Sequence, residues 1–338
     1  MQTEKKQLLI YVIVAYGITY VQGLLMWYGY GKDLDLSAFP KAQMLYPAAG
    51  VMMAYLITKK EDKNLPKTFY IFFVALTAVL VVCTAASVLA PKNIDLMGTM
   101  FSQWGLILEC IMIGGSVIFW LLLLASGNEK CRVYGLNSGH WNISVLMILL
   151  FIGLYLLRFL IASAFRGRLS EFGKIIANPA TWSMFFTVLM NFFISVVAFF
   201  GEEYGWRYYL QPLLQKKFGL KGGVILLGCV WAVWHLPIDF FYYTTPDMGL
   251  TALASQFVTC ISLGIFMAYT YMKTQNIWVP IIIHFLNNNM VVVFSGTYSA
   301  DVLQNQQIHW GDIPVALVIN LLLFGWVIFL KSFKEKKE

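Results

Sequence analysis

WSMFFTVLMNFFISVVAFFGEEYGWR, running from Trp182 to Arg207, decides how this chain is read. Up to Phe200 the stretch carries no charged residue, and it is about as long as the roughly 20 mostly apolar residues a helix needs to cross a bilayer. It then runs directly into two adjacent carboxylates, Glu202 and Glu203, followed by Arg207. Ionisable groups within a span cost roughly 2.5–3.5 kcal/mol each at the helix centre, so they persist where they face a polar interior and act there. The stretch therefore announces both a membrane helix and a polar site at its end.

The rest of the chain agrees. Of 338 residues, 59% are hydrophobic and only 12% charged; a soluble domain carries about 25% charged residues. Such a chain cannot cover itself with a water-facing surface, and the fold expected is an all-α, polytopic transmembrane helix bundle. The net charge of +7 sits in short loops between apolar runs. That pattern reads as membrane orientation and argues against a nucleic-acid partner. The five cysteines have no zinc-ligand spacing, four of them lie in apolar runs, and no disulfide framework is expected. The polar opening with Lys5 and Lys6 resembles a signal peptide, but the apolar run continues to about Tyr28 without a clear cleavage site, so it reads as a retained first span.

Ten apolar segments qualify as candidate spans, with eight to ten true crossings expected: 7–29, 42–58, 68–90, 103–126, 143–165, 182–208, 222–241, 250–272, 277–297 and 313–330. With the N-terminus in the cytoplasm, most lysines and arginines fall in cytoplasmic loops and in the tail that holds Lys331, Lys334, Lys336 and Lys337. The outer segments keep Lys32, Lys41, Lys92, Arg166, Arg168 and Lys174. Both termini are thus expected to be cytoplasmic. The loop 166–181 runs against this bias, and a re-entrant element would flip the topology beyond it. Three regions follow: helices of unassigned role in 1–181, a core in 182–297 that holds nearly all the unusual intramembrane polar residues, and a final helix with a basic tail in 298–338.

Three polar clusters interrupt the core. In the first, Glu203 and Arg207 are four residues apart, share a helix face and can pair. Glu202, about 100° away around the helix, points elsewhere. The bland reading is a pair of interfacial carboxylates. In the second, His235 lies in Trp231-Ala232-Val233-Trp234-His235-Leu236-Pro237, and Pro237 bends or ends the helix. A lone buried histidine is more often packing than ligand. In the third, His284 and Asn288 share a face of the helix opened by Pro280, whereas Asn287 and Asn289 suit helix–helix hydrogen bonding.

Together these groups are a full set for amide hydrolysis. Glu202 can take a proton from water as general base. His235 and His284 can bind a divalent metal, most plausibly zinc, that lowers the pKa of that water. Asn288 can donate to the developing oxyanion. There is no H-E-x-x-H helix. The groups come from three helices and can meet only inside a bundle.

At these residues the chain resembles the CAAX-protease and bacteriocin-processing (CPBP, or Abi) family of intramembrane endopeptidases. That family is marked in order by E-E-x-x-x-R, F-x-x-x-H and H-x-x-x-N. Here they correspond to Glu202-Glu203-xxx-Arg207, Trp231-xxx-His235 and His284-xxx-Asn288. The resemblance covers about 182–297. It implies water activation by Glu202, a Glu203–Arg207 support, two essential histidines in His235 and His284, oxyanion support by Asn288, and a metallopeptidase whose metal participation is debated. Two departures stand out: Trp231 where phenylalanine is common, and Tyr208 where glycine usually follows the arginine, a bulk that bears on substrate approach.

The expected function is an intramembrane endopeptidase acting on a membrane-associated peptide or protein, with membrane lipids as its surroundings. The alternatives are a non-catalytic immunity or scaffold protein of the same fold, and a proton-coupled transporter, against which the confinement of polar residues to one half counts. The resemblance implies prenylated C-termini as substrates in eukaryotes, and bacteriocin or signal-peptide maturation, or immunity, in bacteria. Compact loops and a basic tail read as a bacterial cell-membrane protein, which argues against a CAAX substrate. Elsewhere, Glu109 and Arg158 are expected to form a buried structural pair, the alternative being that they line a polar cavity facing the site. Asp239, four after His235, is either its orienting acceptor or an interfacial carboxylate. His140 and His309 are expected in solvated loops, and Trp27, Trp182 and Trp310 in the interfacial belts.

Overall fold

The computed structural model describes residues 2–96 and 98–334, and Lys336 and Lys337 of the expected tail lie outside the described residues. Every one of the ten apolar segments is helical: α1 (Gln2–Tyr30), α2 (Tyr46–Thr58), α3 (Lys67–Leu89), α4 (Gln103–Ala125), α5 (Trp141–Phe165), then the amphipathic α6 (Leu169–Ala177), then α7 (Pro179–Glu203), α8 (Gln211–Trp234), α9 (Gly249–Thr274), α10 (Trp278–Phe294) and α11 (Asp312–Leu323). Among the described residues, six helical stretches are long and apolar enough to cross a membrane, with α7 and α8 counted as one stretch, Pro179–Trp234, of 56 residues. That stretch is interrupted by a π-helical segment at Tyr204–Leu210 and by Gly219, whose φ of 75° breaks the helix. α2, α10 and α11 have 13, 17 and 12 residues; at 1.5 Å per residue each falls short of a hydrocarbon core of about 30 Å. The protein is an all-α polytopic membrane protein, and among the described residues the one small sheet is the antiparallel hairpin β1 (Asn93–Leu96) and β2 (Thr99–Ser102), with Asn93 opposite Ser102.

The chain divides into two compact units. The first comprises the residues up to Asn137 together with Phe193–Tyr209. Its core is aromatic. Phe200 packs edge-on against Phe119 at 4.8 Å and Phe73 at 5.6 Å, and Tyr204 stacks on Phe200 at 5.0 Å. The phenols are tied together, with the Tyr70 and Tyr204 hydroxyls 2.6 Å apart and Tyr204 donating to the Tyr134 carbonyl at 2.8 Å. Gly201 and Gly205, four residues apart, let this helix lie directly on the backbone of residues 44–47. A Cβ on Gly201 would sit 2.7 Å from Leu45 Cα, and one on Gly205 2.7 Å from the Pro47 carbonyl carbon. Small residues at this spacing permit such close approach between membrane helices.

The second unit comprises Ser138–Phe192 and the residues from Leu210 onward. Phe151 and Phe324 pack on Phe266 of α9, with centroids 6.1 and 5.7 Å away. α9 ends at Gln275, which adopts a left-handed φ of 48°, and the chain reverses at once into α10. Asn276 fixes the reversal: its side-chain oxygen accepts from Trp278 N at 3.0 Å, as a helix cap does, and its amide donates to the Gly139 carbonyl at 3.0 Å.

Candidate active site

In the first unit the site residues lie where α7 gives way to the π-helical turn. Glu202, Glu203 and Arg207 are buried, at 2%, 0% and 1% exposure. The expected pairing is present: Arg207 Nε donates to Glu203 Oε2 at 2.9 Å. Glu202 is held differently, accepting from the indole N–H of Trp206 at 3.2 Å. The two neighbouring carboxylates thus have different partners in these bonds, a guanidinium for Glu203 and an indole N–H for Glu202. A π-helical turn inside an α-helical run is itself common at functional sites. Trp206 was not foreseen, although its spacing of four from Glu202 is the same signal that gave Glu203–Arg207. The unusual Tyr208 stacks on Tyr204 at 4.5 Å, and its ring lies so close to Gly135 that a Cβ there would overlap it.

In the second unit, α8 ends at Trp234 and the chain turns through Leu236–Ile238, as Pro237 dictates. His235 sits at that break, 6% exposed. Its Nδ1 lies 2.8 Å from the Trp231 carbonyl. A carbonyl cannot donate, so Nδ1 carries the proton and Nε2 of the neutral ring presents its lone pair. His284, 3% exposed on α10, has Nε2 3.3 Å from the Asn288 amide nitrogen. Asn288 is held in turn by Asn287, which donates to its side-chain oxygen at 3.0 Å. Trp231 touches both imidazoles, with centroids 5.8 Å from His235 and 5.5 Å from His284. The aromatic of the second motif is therefore a wall common to both histidines, which its place in the sequence does not reveal.

His235, His284 and Asn288 line one cavity of about 240 Å³ in this unit, with Asp239, Tyr155 and Arg158 also on its wall. Asp239 does not orient His235, whose Nδ1 is taken by its own backbone; it is 1% exposed and one of its carboxylate oxygens has no hydrogen-bond partner. The buried pair expected of Glu109 and Arg158 does not form. Glu109 pairs with Lys41, both side chains about half exposed, and Arg158 instead lies over the Tyr155 ring at 4.4 Å. His140 and His309 are exposed, and Trp27 and Trp310 are 65% and 62% exposed. All five cysteines are free.

Within the second unit, His235 and His284 are buried imidazoles on the wall of one cavity. Imidazole donors suit zinc, so the two histidines fit a divalent metal in chemical type.

Comparison with known proteins adds to this. Residues 179–290 match the profile of the Type II CAAX prenyl endopeptidase Rce1-like family. The chain is 27% identical over 183 residues to CAAX prenyl protease 2 of Methanococcus maripaludis, a match spanning 51% of this chain and 66%, just under two thirds, of that relative. No solved structure matches significantly. All three motifs, Glu202–Arg207, Trp231–His235 and His284–Asn288, fall within the matched residues. Over residues 179–290 the chain is thus similar to the Rce1-like CAAX prenyl endopeptidases.

Proposed function

We propose that the protein is an intramembrane endopeptidase. The observation that supports this reading is the burial of the groups the chemistry needs in an apolar chain: Glu202 lies next to the Glu203–Arg207 pair, and His235, His284 and Asn288 line one cavity. Glu202 removes a proton from water, and the resulting hydroxide adds to the scissile carbonyl. Asn288 donates an amide N–H to the developing oxyanion. The proton on Glu202 then passes to the leaving nitrogen, the C–N bond breaks, and a carboxylate and an amine are released. His235 and His284 hold the attacking water between them, their ring positions fixed by Trp231.

A bound divalent metal would lower the pKa of the water and polarise the carbonyl. His235 and His284 are one donor set for it. Loss of bound metal in both His235→Ala and His284→Ala supports this donor pair; metal retained in either variant contradicts it.

The name of the relative, CAAX prenyl protease 2, makes a prenylated C-terminal peptide the first substrate to try. Both termini are assigned to the cytoplasm from the loop charges. The test is direct: detergent-purified, folded protein incubated with a farnesylated CAAX peptide and with a quenched peptide library should release new termini visible by mass spectrometry. Folded protein that cleaves neither would favour the non-catalytic scaffold reading.

A further inference from the structure

Arg158 lies well inside α5, which is long and apolar enough to cross a membrane. A guanidinium at such a position needs compensation. Among the described residues no carboxylate lies within ion-pair distance of it. What holds it is aromatic: its Cζ stands 4.4 Å from the Tyr155 centroid and 5.9 Å from that of Phe324. Cation–π contacts orient the fork and leave its donors for another group. Tyr155 is fixed in its turn, because its hydroxyl donates to the Asn287 carbonyl at 3.2 Å, one residue before Asn288.

Arg158 stands on the wall of two cavities at once. One is the 240 Å³ cavity lined by His235, His284 and Asn288. The other, about 720 Å³, is lined by Arg158, Arg166 and Gln306 among others. Asp239 lines only the first. The cavity that holds the histidines therefore has a carboxylate beside His235 and a carboxylate-free guanidinium where it meets the second cavity. A peptide end has the complementary pattern: main-chain N–H groups and a terminal carboxylate. The small volume favours a chain that ends there over one that runs through.

We propose that Arg158 binds the free C-terminal carboxylate of the substrate by a two-pronged hydrogen bond, and so sets how far from the chain end the protein engages its substrate. This rests on the peptidase reading and specifies its substrate as a peptide with a free C-terminus. A carboxylate is the planar acceptor that a guanidinium fork matches best. A lipid phosphate arriving through the larger cavity is the competing anion, and it is the less favoured because Arg158 also faces the histidines.

The test measures binding, so that it does not depend on turnover. Two fluorescent farnesylated CAAX peptides, identical except for a C-terminal carboxylate or carboxamide, are titrated into Glu202→Gln protein in neutral detergent. The carboxylate form should bind about tenfold tighter or more. Adding Arg158→Gln should bring the two affinities together, and Arg158→Lys should retain part of the preference, since it keeps the charge without the fork. Equal melting temperatures guard against a folding defect. The proposal is overturned if the two peptides bind alike with Arg158 present, or if the preference survives Arg158→Gln. It is also overturned if Arg158→Gln alters only the response to added phosphatidylglycerol. Cleavage of the amide peptide by the Glu202 protein tests the peptidase reading separately.

Discussion

Glu203 and Arg207 are both almost fully buried, and each is the other's compensation. Removing one partner leaves a charge stranded, at a cost of about 3–5 kcal/mol. Glu203→Gln and Arg207→Met should each lower the melting temperature strongly, and the double variant should lose less than the sum; additive losses would mean that the pair is not coupled. At the histidines, Trp231→Ala removes the wall common to both rings. It should reduce kcat while leaving KM within about a factor of three, since positioning the reacting groups matters more to the transition state than to binding. An unchanged kcat would show that the rings are positioned by other contacts.

Among the elements, the helix carrying the carboxylates depends on Gly201 and Gly205 to lie against residues 44–47, where the neighbouring atoms are largely backbone and cannot swing away. Ala at either position should destabilise by about 1–3 kcal/mol. Gly114→Ala on α4 meets nothing within 4 Å and should be neutral or mildly stabilising. Equal effects at all three would refute the close-packing account. Between α2 and α3, the Asp62 carboxylate accepts from the Tyr134 hydroxyl at 2.6 Å, and that bond, with help from the Asn64 N–H, holds its pKa below the usual carboxylate value. A carboxyl whose folded pKa is depressed adds stability above its unfolded pKa of about 3.9 and loses it as pH falls through the lower folded value. The melting temperature should therefore decline with acidification below about pH 4, and less steeply in Tyr134→Phe; identical pH profiles would show that the bond does not matter in solution.

At the scale of the molecule, all ten apolar segments could be read in the sequence because length and apolar content report directly on a membrane helix. The spacing of four that pairs Glu203 with Arg207, and His284 with Asn288, could be read for a similar reason: it is local. What escaped the reading depends on contacts distant in sequence or on backbone detail. Glu109 is bound by Lys41, 68 residues away. The aromatic platform of Arg158 joins Tyr155 to Phe324. The π-helical turn after Glu203 has no simple residue signature. The orientation drawn from loop lysines and arginines predicts that a fluorescent protein fused to the C-terminus lights up and an alkaline phosphatase fused there stays inactive; the reverse would invert the assigned topology.

The central claim is that Glu202 is the base of a peptidase. The most direct measurement compares cleavage of a farnesylated CAAX peptide and a quenched peptide library by the purified protein and by Glu202→Gln, with melting temperatures taken in the same detergent. The account predicts clear cleavage by the first and a loss of about 10²-fold or more in the second at equal stability. Equal cleavage by two equally stable proteins would contradict it.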